Sequence, residues 1–141
     1  MISSEISPVR YAAKGVLLDS ENRILLLRGM KTRRLSLVGG GLKVRYNEQV
    51  TDGFDREVTE ETGLLPEDIA GLKPVGFVEG DVDDGRTAFW YLYRGNIVDD
   101  HTPITLGADI ESMEFMTAQE FLDYDGLKSK LAHDVIKQMH F

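Results

Sequence analysis

Between Glu48 and Gly63 the chain reads Glu-Gln-Val-Thr-Asp-Gly-Phe-Asp-Arg-Glu-Val-Thr-Glu-Glu-Thr-Gly, shortly behind three consecutive glycines, Gly39 to Gly41. No other stretch constrains the fold as much, because its periodicity predicts one helix, Gln49–Thr62, that is both amphipathic and loaded with acids. At 100° per residue, Glu57, Glu60 and Glu61 fall within an arc of about 100°. The apolar stripe of the same helix (Val50, Phe54, Val58, Leu65) spans roughly the next 80°, and Glu61 projects inside it. A plain surface helix turns its acids away from such a stripe. Like charges beside a buried face are costly unless a cation or hydrogen bonds compensate them, and a hard metal ion with oxygen ligands does so. Gly63 is well placed to end the helix as its C′ residue.

The rest of the sequence says what kind of metal, and what kind of partner, this helix serves. The 141 residues, 42% of them apolar, suit one domain spanning 1–141 with one core. There is no cysteine, and the three histidines (His101, His133, His140) are scattered. Thiolate sites and disulfides are therefore excluded, a zinc site has no pattern to rest on, and any metal is expected to be held by oxygen. No 18-residue apolar run and no basic-then-apolar N-terminus occurs, so the expectation is a cytoplasmic protein without membrane contact. The net charge of −8 argues against stable nucleic-acid binding. Yet from Asn22 to Asn47 there is no Asp or Glu, while seven basic residues occur: Arg23, Arg28, Lys31, Arg33, Arg34, Lys43 and Arg45. A cationic segment leading into an acidic helix suits a polyphosphate, with Arg28, Arg34 and Lys43 as candidate phosphate ligands. The plainer alternative is a solvated loop.

Hydrophobic patterning predicts a mixed sheet with helices packed on it. Val9–Asp19 and Arg23–Arg28 read as a hairpin about the turn Ser20–Asn22, and Leu35–Val38 as a short strand ending in the glycines. Lys73–Glu79 and Arg86–Asn96 read as strands around the turn-rich Gly80–Gly85, the second apolar on both faces and so central. Ile110–Met116 is the last strand. Thr117–Glu120 spells a capping box that opens a short helix. Leu127–Met139 closes the chain as an amphipathic helix carrying Leu127, Leu131, Val135 and Met139 on one face.

The acidic helix also carries a family resemblance. The Nudix box runs Gly, five residues, Glu, seven residues, Arg-Glu, an aliphatic, any residue, Glu-Glu, any residue, Gly and an aliphatic. From Glu48 onward the match is complete, through Arg56-Glu57-Val58-Thr59-Glu60-Glu61-Thr62-Gly63-Leu64. The chain thus resembles a Nudix (MutT-like) hydrolase over its whole length. The glycine half departs from the pattern. The position six before Glu48 is Leu42, so aligning the glycines leaves Leu42–Asn47 about two residues longer than the family spacing, and Val38 stands where a proline is common.

The resemblance implies an α+β fold of the α/β/α sandwich type, a mixed sheet between helices. It implies Mg2+ (or Mn2+) held by Glu57, Glu60 and Glu61, with contributions from Glu48 and a glycine carbonyl, Gly41 before Gly40. It implies Arg56 as the residue that orients the glutamates and Glu57 or Glu60 as general base. Gly53, where relatives often carry alanine, leaves room for the loop or for phosphate. Relatives recruit a further acid from a later loop: Asp109 matches best, then Glu111, with Glu79, Asp81, Asp83 and Asp84 also available. Phe77, Tyr91 and Trp90 are candidates to stack on a base, with core packing as the competing role.

The implied activity is hydrolysis of a phosphoanhydride bond in a small nucleoside diphosphate derivative; the oligomeric state, monomer or homodimer, stays open. The alternative is a catalytically weak Nudix-fold domain that binds or senses a nucleotide. The retained box acids favour catalysis, and the lengthened loop keeps the sensor reading open. Neither the marks of ADP-ribose and dinucleoside cleavage beyond the box nor a coenzyme A motif is present.

Overall fold

Among the described residues, runs of branched and aromatic residues punctuated by glycine and turn residues give six strands and three α-helices. In chain order these are β1 (Val9–Leu18), β2 (Ile24–Gly29), β3 (Leu35–Gly41), α1 (Val50–Thr62), β4 (Ile69–Asp81), β5 (Thr87–Ile97), β6 (Ile110–Met116), α2 (Ala118–Asp123) and α3 (Lys130–Gln138). The computed structural model describes residues 9–81 and 87–141. Residues 82–85 of the proposed Gly80–Gly85 turn, Asp83 and Asp84 among them, and the Arg86 start proposed for the fifth strand therefore lie outside the described residues, while Gly80 and Asp81 end β4.

All six strands join one sheet in the order β4-β5-β1-β3-β2-β6. β1 and β5 are parallel, and every other neighbouring pair is antiparallel. β5 has partners on both sides, as its two-faced apolar pattern predicts. Strand alternation sends Ala13, Leu17, Leu25, Leu27, Val38 and Tyr93 to one face, where Phe54 and Val58 of α1 cover them. The opposite face carries Val16, Leu26, Leu37 and Trp90 and is covered by Phe121 of α2 and by Ala132, Val135 and Ile136 of α3. The expected α/β/α sandwich is what forms.

Several local expectations are revised. β1 and β2 touch only at Leu18 and Ile24, because β3 inserts between them and pairs with both, so the predicted hairpin is open below its turn. The strand expected over Leu35–Val38 runs on through the glycines. They are the end of β3, with Gly39, Gly40 and Gly41 opposite Lys14, Ala13 and Ala12. Leu65 is not on the helix stripe: Gly63 turns left-handed at φ 77°, which breaks the 3.6-residue period, leaves Leu65 exposed and buries Leu64 instead. Leu127 is likewise exposed and precedes α3, whose first turn is capped by Ser129 Oγ accepting from Ala132 N. The Thr117 capping box forms in both directions, Glu120 N to Thr117 Oγ1 and Thr117 N to Glu120 Oε1.

Candidate active site

The glycine end of β3 runs under α1, and the absence of side chains there lets two carboxylates rest on the strand. Gly39 has φ 119°, a conformation L side chains rarely adopt, and its N–H donates to Glu61 Oε1 at 2.8 Å. A Cβ on Gly40 would stand 2.7 Å from both the carboxylate carbon and Oε1 of Glu57. Both acids are largely withdrawn from water. Burial pushes the Glu61 carboxyl up to about 7, against the opposing pull of Lys14 and the Gly39 N–H. Burial raises Glu57 too, outweighing the neighbouring Arg56.

Arg56 is the hub that ties this pair to the loop. Its Nε donates to Glu48 Oε2 at 2.6 Å and its Nη2 to Glu48 Oε1 and to the Gly41 carbonyl, both at 3.0 Å. Nη1 reaches both Glu60 oxygens at 3.2 Å and Glu57 Oε1 at 3.4 Å. Such a fork needs the planar guanidinium, because one ammonium cannot address so many acceptors in fixed directions. Glu48 Oε1 also accepts from the Lys43 N–H at 2.8 Å, and Arg56, then this N–H, hold the Glu48 carboxyl at about 2. Glu48 does not cap α1, since the N-cap is Gln49, which makes no side-chain cap bond. Gly53 gives room from the other side: a Cβ there would press on the side chains of Leu42 and Glu48, which would have to shift to admit it.

The basic segment disperses rather than converging. Arg28 lies on the sheet face away from α1, where it donates to Tyr124 Oη at 2.7 Å and to the Arg33 carbonyl at 2.8 Å. The structure does not bring it to the glutamates. Arg34 precedes β3 at the end opposite the glycines, about 23 Å along the strand from Gly41. Arg23 pairs with Asp19 and Glu21. Of the three candidate phosphate ligands only Lys43, exposed beside Glu48, borders the site.

The later acids separate as well. Gly107 N donates to the Glu61 carbonyl at 3.1 Å and Thr105 N to the Thr62 carbonyl at 2.9 Å, so this loop lies against the last turn of α1. Asp109 follows it, exposed, whereas Glu111 is taken by Arg33 Nε at 2.7 Å.

Aromatic residues and the long loop frame a cavity of about 550 Å³, lined by Tyr11, Tyr91, Leu42, Val44, Asn47 and Gln49 among others. Beside it, on the α1 face but beyond the helix N-terminus, a ladder of rings crosses three strands. Tyr11–Phe89 centroids are 5.4 Å apart, Phe89–Phe77 5.6 Å and Phe77–Tyr91 4.7 Å. Phe77 is half exposed, whereas Trp90 points to the opposite face and is buried with α2 and α3, so it is not available for stacking. Tyr91 is level with Ala13, and Ala13 with Gly40, on adjacent strands. Two strand spacings, about 10 Å, therefore separate the stacking face from the carboxylates.

Tyr11 and Lys14 were not singled out by the sequence reading. For Lys14 a signal existed: it is the one charge in the otherwise apolar run Ala12–Leu18.

Among the described residues no three metal-ligating side chains already form a cage. The donor set nevertheless fits a hard cation. Two partly buried carboxylates lie on a glycine cradle that a Cβ would fill, with the more exposed Glu60 next to them. Mg2+ asks for one or two carboxylates and keeps its remaining ligands as water or phosphate.

A family model described as the NUDIX domain matches residues 8–137. Among curated protein sequences none matches significantly. The fold is similar to that of the MutT protein from Methanosarcina mazei Go1, at 22% identity and a TM-score of 0.74, over 96% of this chain and 95% of that one. It is also similar to a MutT NUDIX hydrolase from Burkholderia pseudomallei, at 16% identity and a TM-score of 0.76, over 95% of this chain and 100% of that one. A third similar structure is the E. coli dihydroneopterin triphosphate pyrophosphohydrolase, at 15% identity and a TM-score of 0.75, over 92% of this chain and 93% of that one.

Proposed function

Since the chain belongs to the NUDIX domain family, whose hydrolases act on pyrophosphate bonds, we propose that its own reaction is the Mg2+- or Mn2+-dependent cleavage of a phosphoanhydride in a nucleoside diphosphate derivative. One observation carries this reading: Glu57 and Glu61 lie desolvated on the bare strand Gly39–Gly40, an arrangement that is costly for two acids alone and favourable around a divalent ion.

A metal bound there supplies charge neutralisation for the diphosphate and a lowered pKa for bound water. The residues do the rest. Glu57 and Glu61 hold the ion. The Gly41 carbonyl is the backbone ligand we favour, because Arg56 fixes it at 3.0 Å and one lone pair stays free. Glu60, the most exposed of the three and still oriented by Arg56, accepts the proton of the attacking water. Glu48 is assigned to holding Arg56 rather than to the ion, as its oxygens already receive Arg56 and the Lys43 N–H. Lys43 meets the outer phosphate, Asp109 is the acid within reach of the helix end, and the cavity by Tyr11 and Tyr91 takes the base. The separation of about 10 Å between that cavity and Gly40 suits a ribose and two phosphates between base and metal.

The test is a phosphate-release screen over nucleotides, nucleotide sugars and dinucleoside polyphosphates, with Mg2+ or Mn2+, on the native protein and on Glu57→Gln and Glu61→Gln. Metal-dependent release that both variants lose while staying folded is the expected result. Turnover by either variant near the native level at saturating metal would refute the ligand assignment.

A further inference from the structure

Lys14 is a partly buried ammonium on the sheet face opposite α1, behind the glycine strand on which the carboxylates rest. From β1 its Nζ donates to the Gly39 carbonyl at 2.9 Å and to the Leu37 carbonyl at 3.4 Å, and it lies 5.4 Å from the Trp90 ring centroid. The Gly39 residue is thus gripped on both polar groups, its carbonyl by Lys14 and its N–H by Glu61 Oε1 at 2.8 Å. Burial lowers the Lys14 pKa; Glu61 and Glu57 oppose that shift, and Arg10 adds to it. Each partner is expensive alone. A buried ammonium without carboxylates loses its hydration for nothing, and two buried carboxylates without a cation repel one another. An uncharged side chain would pack this strand interior at lower cost, so a lysine here needs a reason.

We propose that Lys14 is the resident counter-charge of the Glu57–Glu61 pair, holding both acids and the glycine strand in their metal-ready arrangement when no metal is bound, at the expense of some metal affinity. The part concerning metal rests on the reading above; the coupling between Lys14 and Glu61 does not. Lys14 is a positioning residue in this scheme. It acts through Gly39 and Glu61.

Melting in chelator of the native protein, Lys14→Met, Glu61→Gln and the double variant tests the coupling without metal. Lys14→Met should lower Tm by about 5 °C in the native background and by less than half as much beside Glu61→Gln. Equal shifts in both backgrounds would mean that Lys14 only packs and anchors carbonyls, and would overturn the proposal. Should Lys14→Met fail to fold, the double variant must fold, since it removes the larger of the two charges that Lys14 offsets together with Lys14 itself; failure of both overturns it too. A Mn2+ titration then reads the sign of the charge effect: Lys14→Met should bind Mn2+ about tenfold tighter, and Lys14→Arg like the native protein. Unchanged or weaker binding by Lys14→Met contradicts the counter-charge. A native protein that does not respond to Mn2+ sinks the metal reading instead, and the chelator comparison still decides the coupling.

Discussion

Replacing Gly40 by alanine should disable the site while leaving the fold in place. The added methyl would stand 2.7 Å from the Glu57 carboxylate carbon and Oε1 and 2.9 Å from Oε2. An ordinary contact needs about 3.5 Å, so the carboxylate must withdraw by about 0.8 Å. Nothing forbids that movement, since the obstructing atoms are the far end of a flexible side chain and Gly40, unlike Gly39, does not have positive φ. The stability cost is then small, within about 1 kcal/mol, because alanine also restricts the unfolded chain. For metal and catalysis the same displacement is large. Magnesium demands near-ideal octahedral geometry, and about 1 Å of misplacement at a reacting centre costs roughly a hundredfold in rate. The assay pairs a melting curve with kcat/KM under Mg2+. A Tm within about 3 °C of the native protein, together with a kcat/KM down about a hundredfold, is the expected combination. A folded Gly40→Ala protein with kcat/KM within threefold of native would refute the reasoning, because Glu57 would then have to do nothing at the position where it lies. Gly39→Ala is the contrasting control: its φ of 119° and the Ala13 carbonyl in its path predict loss of folding, not of activity alone.

Metal-free protein should lose stability as pH rises from about 4.5 to 7. The Glu61 carboxyl stands at about 7 when folded against an ordinary 4.5, so the native state binds its proton more tightly and deprotonation favours unfolding. The loss amounts to about 3 kcal/mol at most over that window, and chemical denaturation at several pH values should show it shrink in Glu61→Gln to the part that Glu57 contributes. Arg28→Met should lower Tm through the lost bonds to Tyr124 and the Arg33 carbonyl yet leave kcat/KM per folded molecule unchanged; a raised KM would restore Arg28 to the substrate. Deleting two residues between Val44 and Asn47 should change the order of substrates in the phosphate-release screen while the metal requirement stays as it was. A sharp change in Mg2+ dependence would show that the loop sets the metal geometry.

The helix was legible because two periodic signals coincided, three acids on one arc and an apolar stripe beside them. Gly63 and the Thr117 box marked ends that the structure reproduces to within a residue. What escaped was whatever depends on partners distant in sequence. No local pattern says that β3 separates β1 from β2, since an apolar strand reads the same beside either neighbour. Arg28 looked like a phosphate ligand because its segment has no acids, but strand alternation turns it to the face opposite α1, where Tyr124, 96 positions later, receives it. Trp90 and Tyr91 are indistinguishable as strand aromatics, and only the sheet order decides which of them meets the cavity. Lys14 was hidden for the opposite reason: one lysine in an apolar strand reads as an outward residue until its grip on the Gly39 carbonyl, behind the carboxylates, is known.

The departure of Leu42–Asn47 from the family spacing is where sequence and structure together say the most. Leu42, occupying the expected glycine position, keeps its N–H on the Tyr11 carbonyl at 2.8 Å, so β3 pairing continues past Gly41. Arg56 holds the Gly41 carbonyl from α1, and Glu48 holds both Arg56 and the Lys43 N–H. The loop is thereby fastened at each end to the same arginine. Between those anchors the chain turns through a short 3-10 segment, Val44–Tyr46, and a left-handed Asn47. The residues that arch over in this way, Leu42, Val44 and Asn47, line the cavity opposite Tyr11 and Tyr91. A lengthening that in isolation threatens the metal site is thus absorbed outside it, because the bonds that fix Gly41 come from the helix and from β1. The carboxylate end of the site follows the family pattern, and the lengthened loop shapes the aromatic end. Differences in substrate from relatives with the shorter loop should therefore be sought at Val44, Asn47 and Tyr91 and not among the glutamates.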